Sequence, residues 1–328
     1  MSFLEVNNIA VQEEGNLVLK GIHFTQHEFQ KIVIAGETGS GKSTLLQTIA
    51  GLVQPSAGDV YFEGERVEGP HEKLIPGHPG IAYLSQQFEL PQFLRVEQVL
   101  KYANTLTKER SDTLYEVCRI EHLLKRKTNQ LSGGERQRIA MARLLISAPR
   151  LLLLDEPFSN LDAAHKSILK SVIQEIGDQL EITCLLISHD PLDTISWAEK
   201  ILVLRAGEMV QQGSPEQIYR QPVNEYTAAL FGNYNLIDSE QAGALTAVPG
   251  IKRNNGKRLL IRPESLKVVK EGEQVLVGKV QKVTFFGSYY ELEVLLSGVS
   301  VTLKTVQQHI VKGDTIYISL AADDAWYI

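Results

Sequence analysis

The 328-residue chain has only two cysteines, Cys118 and Cys184, far apart and without a CxxC pair. That spacing argues against a disulfide framework or a zinc site and favours a reducing compartment. Long apolar runs are missing as well. No stretch approaches the ~18 unbroken apolar residues that a membrane helix needs. The strongest run, Leu151 to Leu154, is closed by Arg150 and Asp155 and has the length of a buried strand. If the protein works at a membrane, other chains must supply the spanning part. The opening MSFLEVNN has no basic segment followed by an apolar one, so no secretory signal is read there. Positive charge is not in excess either. Lys+Arg 33 against Asp+Glu 39 leaves a net charge of −6, and the pI of about 5.8 gives no reason to expect nucleic acid as a partner.

What is present is the composition of a folded protein, 43% hydrophobic and 22% charged. At roughly 100–200 residues per domain the length predicts two domains. Short strands are expected at Phe3–Val6 and Leu17–Phe24, around the turn signal Glu13-Glu14-Gly15-Asn16. Lys31–Ala35, Leu151–Leu154 and Cys184–Ser188 read as buried parallel strands. Helical spacing marks Gly41–Ala50, the stretch from Arg95 to about Lys127, Gly134–Ser147 and Ala163–Ile176. Strands alternating with helices predict an α/β fold with a parallel sheet, here over residues 1–235, with a helical subdomain at about 88–147. Beyond Phe231–Asn235 the texture changes to β-branched or alternating segments broken by Gly287, Gly298 and Gly313. Residues 236–328 are therefore expected to form a small all-β barrel.

Gly36-Glu-Thr-Gly-Ser-Gly-Lys-Ser43 fits the pattern GxxxxGK[ST] and lies between a predicted strand and a predicted helix. Backbone N–H groups of Gly36, Glu37, Thr38, Gly39, Ser40 and Gly41 can curl around phosphate oxygens at a helix start. Lys42 is expected at the β and γ phosphates, Ser43 at Mg²⁺, and Thr44 as a further phosphate donor. Leu151-Leu-Leu-Leu-Asp155-Glu156-Pro157 supplies a carboxylate for the ion in Asp155 and a general base for water in Glu156. Alone, such a run is also what a strand meeting solvent looks like. Beside a phosphate loop it reads as the magnesium strand. Leu131-Ser-Gly-Gly-Glu-Arg-Gln-Arg138 opens a helix with Ser132, Gly133 and Gly134, a second anion-binding start.

With these three motifs the chain resembles the ATP-binding subunits of ATP-binding-cassette transporters, a P-loop NTPase family. The resemblance implies a head-to-tail homodimer in which Ser132–Gly134 of one copy faces the γ-phosphate held by the other. It assigns Gln86, in Ile81-Ala-Tyr-Leu-Ser-Gln-Gln-Phe-Glu-Leu90, to Mg²⁺ and the attacking water, and His189 to the γ-phosphate. Ser159-Asn-Leu-Asp162 resembles the loop across the dimer seam. Phe88, Leu90, Phe93 and Leu94 are either apolar anchors for a membrane subunit or packed in the helical subdomain. His71 and His78 sit in a loop with no ligand cluster and are read as solvated.

One departure stands out. The family commonly carries an adenine-stacking aromatic in the first hairpin, whereas here no Tyr, Phe or Trp lies between Phe3 and Phe24 and Glu13 or a neighbour takes that place. Stacking contributes roughly 1–3 kcal/mol per base, so weak adenine selectivity is expected, with Val18 giving the remaining apolar contact.

Leu259–Val269 and Gly278–Leu292 resemble the oligonucleotide-binding-like (TOBE-like) barrel of importers of sugars, polyamines, ferric ion, sulfate and molybdate. Whether it braces a dimer or takes a regulatory protein or anion is open at this level. The resemblance implies an ATPase that powers solute import by dimer closure, with ATP and Mg²⁺ as its ligands. Its implied partners are transmembrane permease subunits and, indirectly, an extracytoplasmic solute-binding protein, and its implied place is the cytoplasmic face of the membrane. A soluble cassette ATPase uncoupled from transport is the alternative.

Overall fold

A computed structural model describes residues 2–87, 89–102, 104–159, 161–245, 256–272 and 274–328. The chain divides into two compact units, Met1–Pro215 and Glu216–Ile328.

The first unit opens with a long antiparallel hairpin, β1 (Leu4–Glu13) and β2 (Asn16–Gln26). Its two-residue turn is Glu14-Gly15, both at positive φ (47° and 86°), the backbone that matches the right-handed twist of a hairpin. Strand β3 (Ile32–Ala35) leads into helix α1 (Lys42–Ile49). Next come β4 (Ala57–Phe62), β5 (Glu65–Arg66) and β6 (Ile81–Leu84). Three helices follow, α2 (Val96–Lys101), α3 (Lys108–Val117) and α4 (Gly133–Leu145). Then β7 (Leu151–Asp155), α5 (Ala163–Leu180), β8 (Thr183–Ile187), α6 (Pro191–Trp197), β9 (Lys200–Arg205) and β10 (Glu208–Gly213) complete the unit. The hairpin extends into a four-stranded antiparallel sheet ordered β2-β1-β4-β5, and the other sheet runs β10-β9-β3-β8-β7-β6. In the latter every pairing is parallel except that of β10 with β9.

Strands β3, β7 and β8 are buried along their whole length, which is why they read as unbroken apolar runs instead of alternating ones. Their side chains still alternate between two cores. Leu152, Leu154 and Leu186 pack with α2–α5, whereas Leu151, Leu153, Leu185 and Ile187 pack with α1 and the hairpin. The carboxyl ends of β3, β8, β7 and β6 lie side by side in register: Ile34 opposite Ile187, Ile187 opposite Asp155, and Leu154 opposite Leu84. In open α/β sheets that edge is where ligands bind.

The second unit carries short helices α7 (Pro215–Arg220) and α8 (Glu225–Leu230) ahead of its strands. The strands are β11 (Asn235–Ile237), β12 (Leu259–Ile261), β13 (Lys267–Val269), β14 (Leu276–Phe285), β15 (Tyr290–Leu296), β16 (Val299–Thr305), β17 (Thr315–Ser319) and β18 (Ala325–Tyr327). They form a three-stranded sheet, β11-β12-β18, and a five-stranded one, β13-β17-β14-β15-β16, around one apolar core. The division at Pro215 precedes the change of texture at residue 235, and Arg262 supplies the reason. Its buried guanidinium donates to the carbonyls of Tyr219, Ala228, Gly232 and Asn233 and lies over the Tyr219 ring, 4.1 Å from its centroid. Trp326 adds a bond to the Pro222 carbonyl. Residues 216–234 are thus polar-fastened to the β unit, a tie that hydropathy does not register.

Both cysteines are buried and free, and burial pushes their thiols up to about 12. His78 departs from the solvated reading. It is half-buried, meets Phe62 edge-on with ring centroids 5.2 Å apart, and accepts the Gly80 N–H. Among the described residues no helix is long and apolar enough to cross a membrane.

Candidate nucleotide site

The loop between β3 and α1 is a cradle that side chains would fill. A Cβ on Gly36 would stand 2.3 Å from the Leu204 carbonyl oxygen. One on Gly41, which has φ 94°, would meet Leu19 Cδ2 at 2.8 Å and the Val18 carbonyl at 2.9 Å. Gly41 is also the N-cap of α1 and offers no side-chain acceptor to the first helical N–H groups, which leaves them for an anion. The buried ammonium of Lys42 donates to the carbonyls of Gly36 (2.9 Å) and Glu37 (2.7 Å). Burial lowers its pKa, and the carboxylates of Glu156, Asp155 and Glu37 pull the other way.

Asp155 ends β7 and is 4% exposed. Its Oδ2 accepts from the Tyr83 hydroxyl at 2.9 Å, while its buried Oδ1 has no hydrogen-bond partner. Burial raises its carboxyl, against the pull of Ser43, Tyr83 and Lys42. An unpartnered buried oxygen on a carboxylate that neighbours Ser43 and Lys42 fits a divalent cation. Among the described residues no group of three or more His, Cys, Asp or Glu could hold a metal on its own. One carboxylate and the Ser43 hydroxyl suit Mg²⁺, which keeps several waters and binds through one or two carboxylates plus substrate phosphates.

Glu156 follows at φ 48°, a left-handed conformation that is costly for a non-glycine residue and that clusters at functional sites. Its N–H donates to the Ile187 carbonyl at 3.2 Å, so the strained turn is fastened to β8. Three groups converge on its Oε2: the Ser159 hydroxyl at 2.9 Å, His189 Nδ1 at 3.2 Å and the Gln86 amide at 3.4 Å. They come from three different strand ends, after β7, β8 and β6. It is Gln86, not its neighbour Gln87, that makes this contact.

Ser132, Gly133 and Gly134 start α4 elsewhere in the unit. The Ser132 hydroxyl accepts from the Glu135 N–H (3.3 Å), and Glu135 accepts from the Ser132 N–H (2.8 Å), a reciprocal capping box. Gly133 has open space around it, and Gly134 lies against the His165 ring, where a Cβ would meet Cδ2 at 2.9 Å. One turn on, the Gln137 amide donates to the Pro157 carbonyl, next to Glu156.

Of the apolar residues after Gln86, Leu90 is in the core and Leu94 packs against it. Phe93 is 67% exposed at φ 64°, and Phe88 lies outside the described residues, as does Asn160 of the seam loop. Sequence reasoning passed over Tyr83. The only hint was a phenol at a strand position otherwise occupied by apolar residues, three residues before Gln86. By sequence Ser159 resembles part of the seam loop, and its bond to Glu156 has no sequence signal.

A glycine-wrapped phosphate loop, an orphan carboxylate oxygen at the end of the neighbouring apolar strand and a strained Glu beside it define a P-loop nucleoside triphosphatase. Residues 19–159 match the ABC transporter family and residues 259–328 match the TOBE domain. The maltose/maltodextrin import ATP-binding protein MalK of Photobacterium profundum is 32% identical over 90% of this chain and 86% of its own. The glucose import ATP-binding protein GlcV of Saccharolobus solfataricus is also 32% identical, over 88% of each chain. The spermidine/putrescine import ATP-binding protein PotA of Spiroplasma citri is 29% identical over 98% and 96%. Among solved structures, cbiO1 from Clostridium perfringens, part of the ABC transporter complex cbiONQ, superposes with a TM-score of 0.58 at 26% identity, covering 66% of this chain and 90% of that one. The ADP conformation of MJ1267, an ATP-binding cassette of an ABC transporter, shares the fold with a TM-score of 0.60 at 21% identity, over 70% and 98%. The chain belongs to the ABC transporter family, as an ATP-hydrolysing subunit with a C-terminal TOBE domain.

Proposed function

We propose that this ATPase powers solute import as a homodimer at the cytoplasmic face of a membrane, bound to permease subunits that an extracytoplasmic solute-binding protein serves. The carrying observation is the convergence of Gln86, Ser159 and His189 on one oxygen of Glu156. Those contacts fix the orientation of the carboxylate, which can then accept a proton from water. Lys42 and the N–H groups of Gly36–Thr44 hold the phosphates of one nucleotide, and Ser132–Gly134 of a second copy closes over its γ-phosphate. Ser43 and Asp155, with Gln86 nearby, would hold a magnesium ion, which would supply neutralisation of the phosphate charge. His189, 63% exposed, is accessible to the γ-phosphate while its Nδ1 stays on Glu156. Gln86, whose amide meets Glu156, is seven residues before exposed Phe93, so one segment joins the reacting site to a surface that a permease can grip. The import assignment is supported by the relatives' names and by coverage of nearly all of their length.

The test is co-purification from detergent-solubilised membranes followed by reconstitution in vesicles. Recovery with membrane proteins, and ATP hydrolysis stimulated by the solute-loaded receptor, is the expected result. Free chain with unstimulated hydrolysis would favour the uncoupled ATPase.

A further inference from the structure

The first turn of α5 reaches in two directions. Its N-cap, Asp162, accepts from the His165 N–H at 2.9 Å and lies 2.7 Å from His165 Nδ1. The His165 ring is the neighbour of Gly134. One residue on, Lys166 turns the other way, to the segment after β8. Its ammonium is 2.5 Å from Asp190 Oδ2 and 2.7 Å from Asp193 Oδ2. Asp193 is 1% exposed, and its other oxygen is held by Lys170 at 2.6 Å.

The two lysines are not equivalent. Lys170 neutralises Asp193 alone, so the buried carboxylate keeps a cation if Lys166 is removed. Asp190 is the residue after His189 and has the structural task of starting α6. Its Oδ1 accepts from the Leu192 N–H at 2.9 Å, ahead of a proline at the first helical position. The His189 side chain is well exposed and is held by Glu156, so its place depends on its flanks. Ser188 fixes one flank, donating its N–H to the Ile34 carbonyl at 3.4 Å. Lys166 fixes the other. These contacts join the segments on either side of His189: Glu156 holds Ser159 and His189, and Lys166 of α5 holds Asp190, the residue after His189. A cavity of about 130 Å³ is lined by Glu156, Ser159, Lys166 and His189 among others, and it is large enough for water beside the carboxylate.

We propose that Lys166 is a positioning residue for hydrolysis, clamping Asp190 to α5 so that His189 stays in register with Glu156. The proposal rests on the reading of His189 as part of the reacting site. Small misplacement of such a group is costly to rate even when binding is intact.

The test compares steady-state MgATP hydrolysis by the purified full chain with that of Lys166→Met, Lys166→Arg, His189→Ala and the Lys166→Met/His189→Ala double variant. Lys166→Met is expected to lower kcat about tenfold with KM within about twofold. Lys166→Arg is expected to recover most of the loss, because its fork can span both carboxylates. Residues that act as one unit are non-additive, so the double variant should be no slower than His189→Ala alone. A wild-type kcat in Lys166→Met, an additive loss in the double variant, or an equal loss in Lys166→Arg would each overturn the proposal. His189→Ala at the wild-type rate would instead overturn the reading of His189 beneath it.

Discussion

The Ser159 hydroxyl donates to Oε2 of Glu156 at 2.9 Å, and it does so from the turn that Glu156 itself begins, since the Ser159 N–H also returns to the Glu156 carbonyl at 3.1 Å. The Glu156 carboxylate is therefore oriented by its own loop as well as by Gln86 and His189. Glu156→Gln keeps size and most hydrogen bonds but cannot accept a proton. Turnover should fall by roughly 10²–10⁴, with nucleotide binding unchanged. The variant should sediment as a dimer with MgATP and as a monomer without it. Wild-type hydrolysis in Glu156→Gln would remove the role assigned to Glu156.

Asp155 illustrates a conflict between stability and function. Its carboxylate is buried, one oxygen has no partner, and its pKa is raised by burial, so the charge costs the nucleotide-free protein stability at neutral pH. Asp155→Asn should raise the melting temperature without ligand, by on the order of 2–4 °C per kcal/mol relieved. The same variant should lose the stabilisation that MgATP gives the wild type. Thermal scans with and without MgATP measure both. A lower melting temperature in the nucleotide-free variant would contradict the argument.

The capping box at Ser132 predicts a pH signature. Burial acts to raise the Glu135 carboxyl, but the Ser132 N–H and hydroxyl, followed by Arg126, outweigh it and hold the group below the ordinary glutamate value. A depressed carboxyl contributes stability that is present above the unfolded pKa of about 4.3 and is lost as pH falls through the lower folded value. Glu135→Ala should thus cost about 1 kcal/mol at pH 7. Urea midpoints of variant and wild type should draw together on acidification below about pH 4. A gap that does not narrow would mean that the ionised carboxylate is not what closes the box.

Much of this is legible in the sequence. The phosphate loop, the strand ending in Asp155-Glu156 and the start of α4 are contiguous in sequence, and each has its chemistry within a few residues. The buried strands announced themselves as apolar runs because both faces are covered. What escaped reading is long-range and polar. Tyr83 meets Asp155 from 72 residues away, and Arg262 reaches back 43 residues to Tyr219. Neither contact has a periodicity, so the unit division at Pro215 has no sequence signal, and the phenol on Asp155 shows only as a polar group in an otherwise apolar strand.

Phe93 and Leu90 fall on opposite sides of the choice between core packing and an exposed surface. Leu90 is a core residue, whereas Phe93 is exposed at a positive φ that a bulky residue rarely adopts. Phe93→Asp should leave stability within about 0.5 kcal/mol and leave ATPase activity of the isolated chain intact, while membrane proteins no longer co-purify. A misfolded variant would place Phe93 in the core after all.

The hairpin beside the phosphate loop sets the last expectation. Val18 and Leu19 back the loop, close enough that a Cβ on Gly41 would touch both. Leu17, 55% exposed, is the apolar side chain next to them, and Glu13 and Glu14 are exposed at the turn. An aliphatic lip can cover a base but does not offer the π-face that contributes roughly 1–3 kcal/mol in stacking. The triphosphate contacts, by contrast, are identical for every nucleotide. ATP and GTP should therefore be turned over with kcat/KM values within a few-fold of each other. Leu17→Tyr should lower KM for ATP by roughly tenfold if it gains about 1.4 kcal/mol of stacking. A strong preference for ATP in the unmodified chain would show that another part of the protein reads the base.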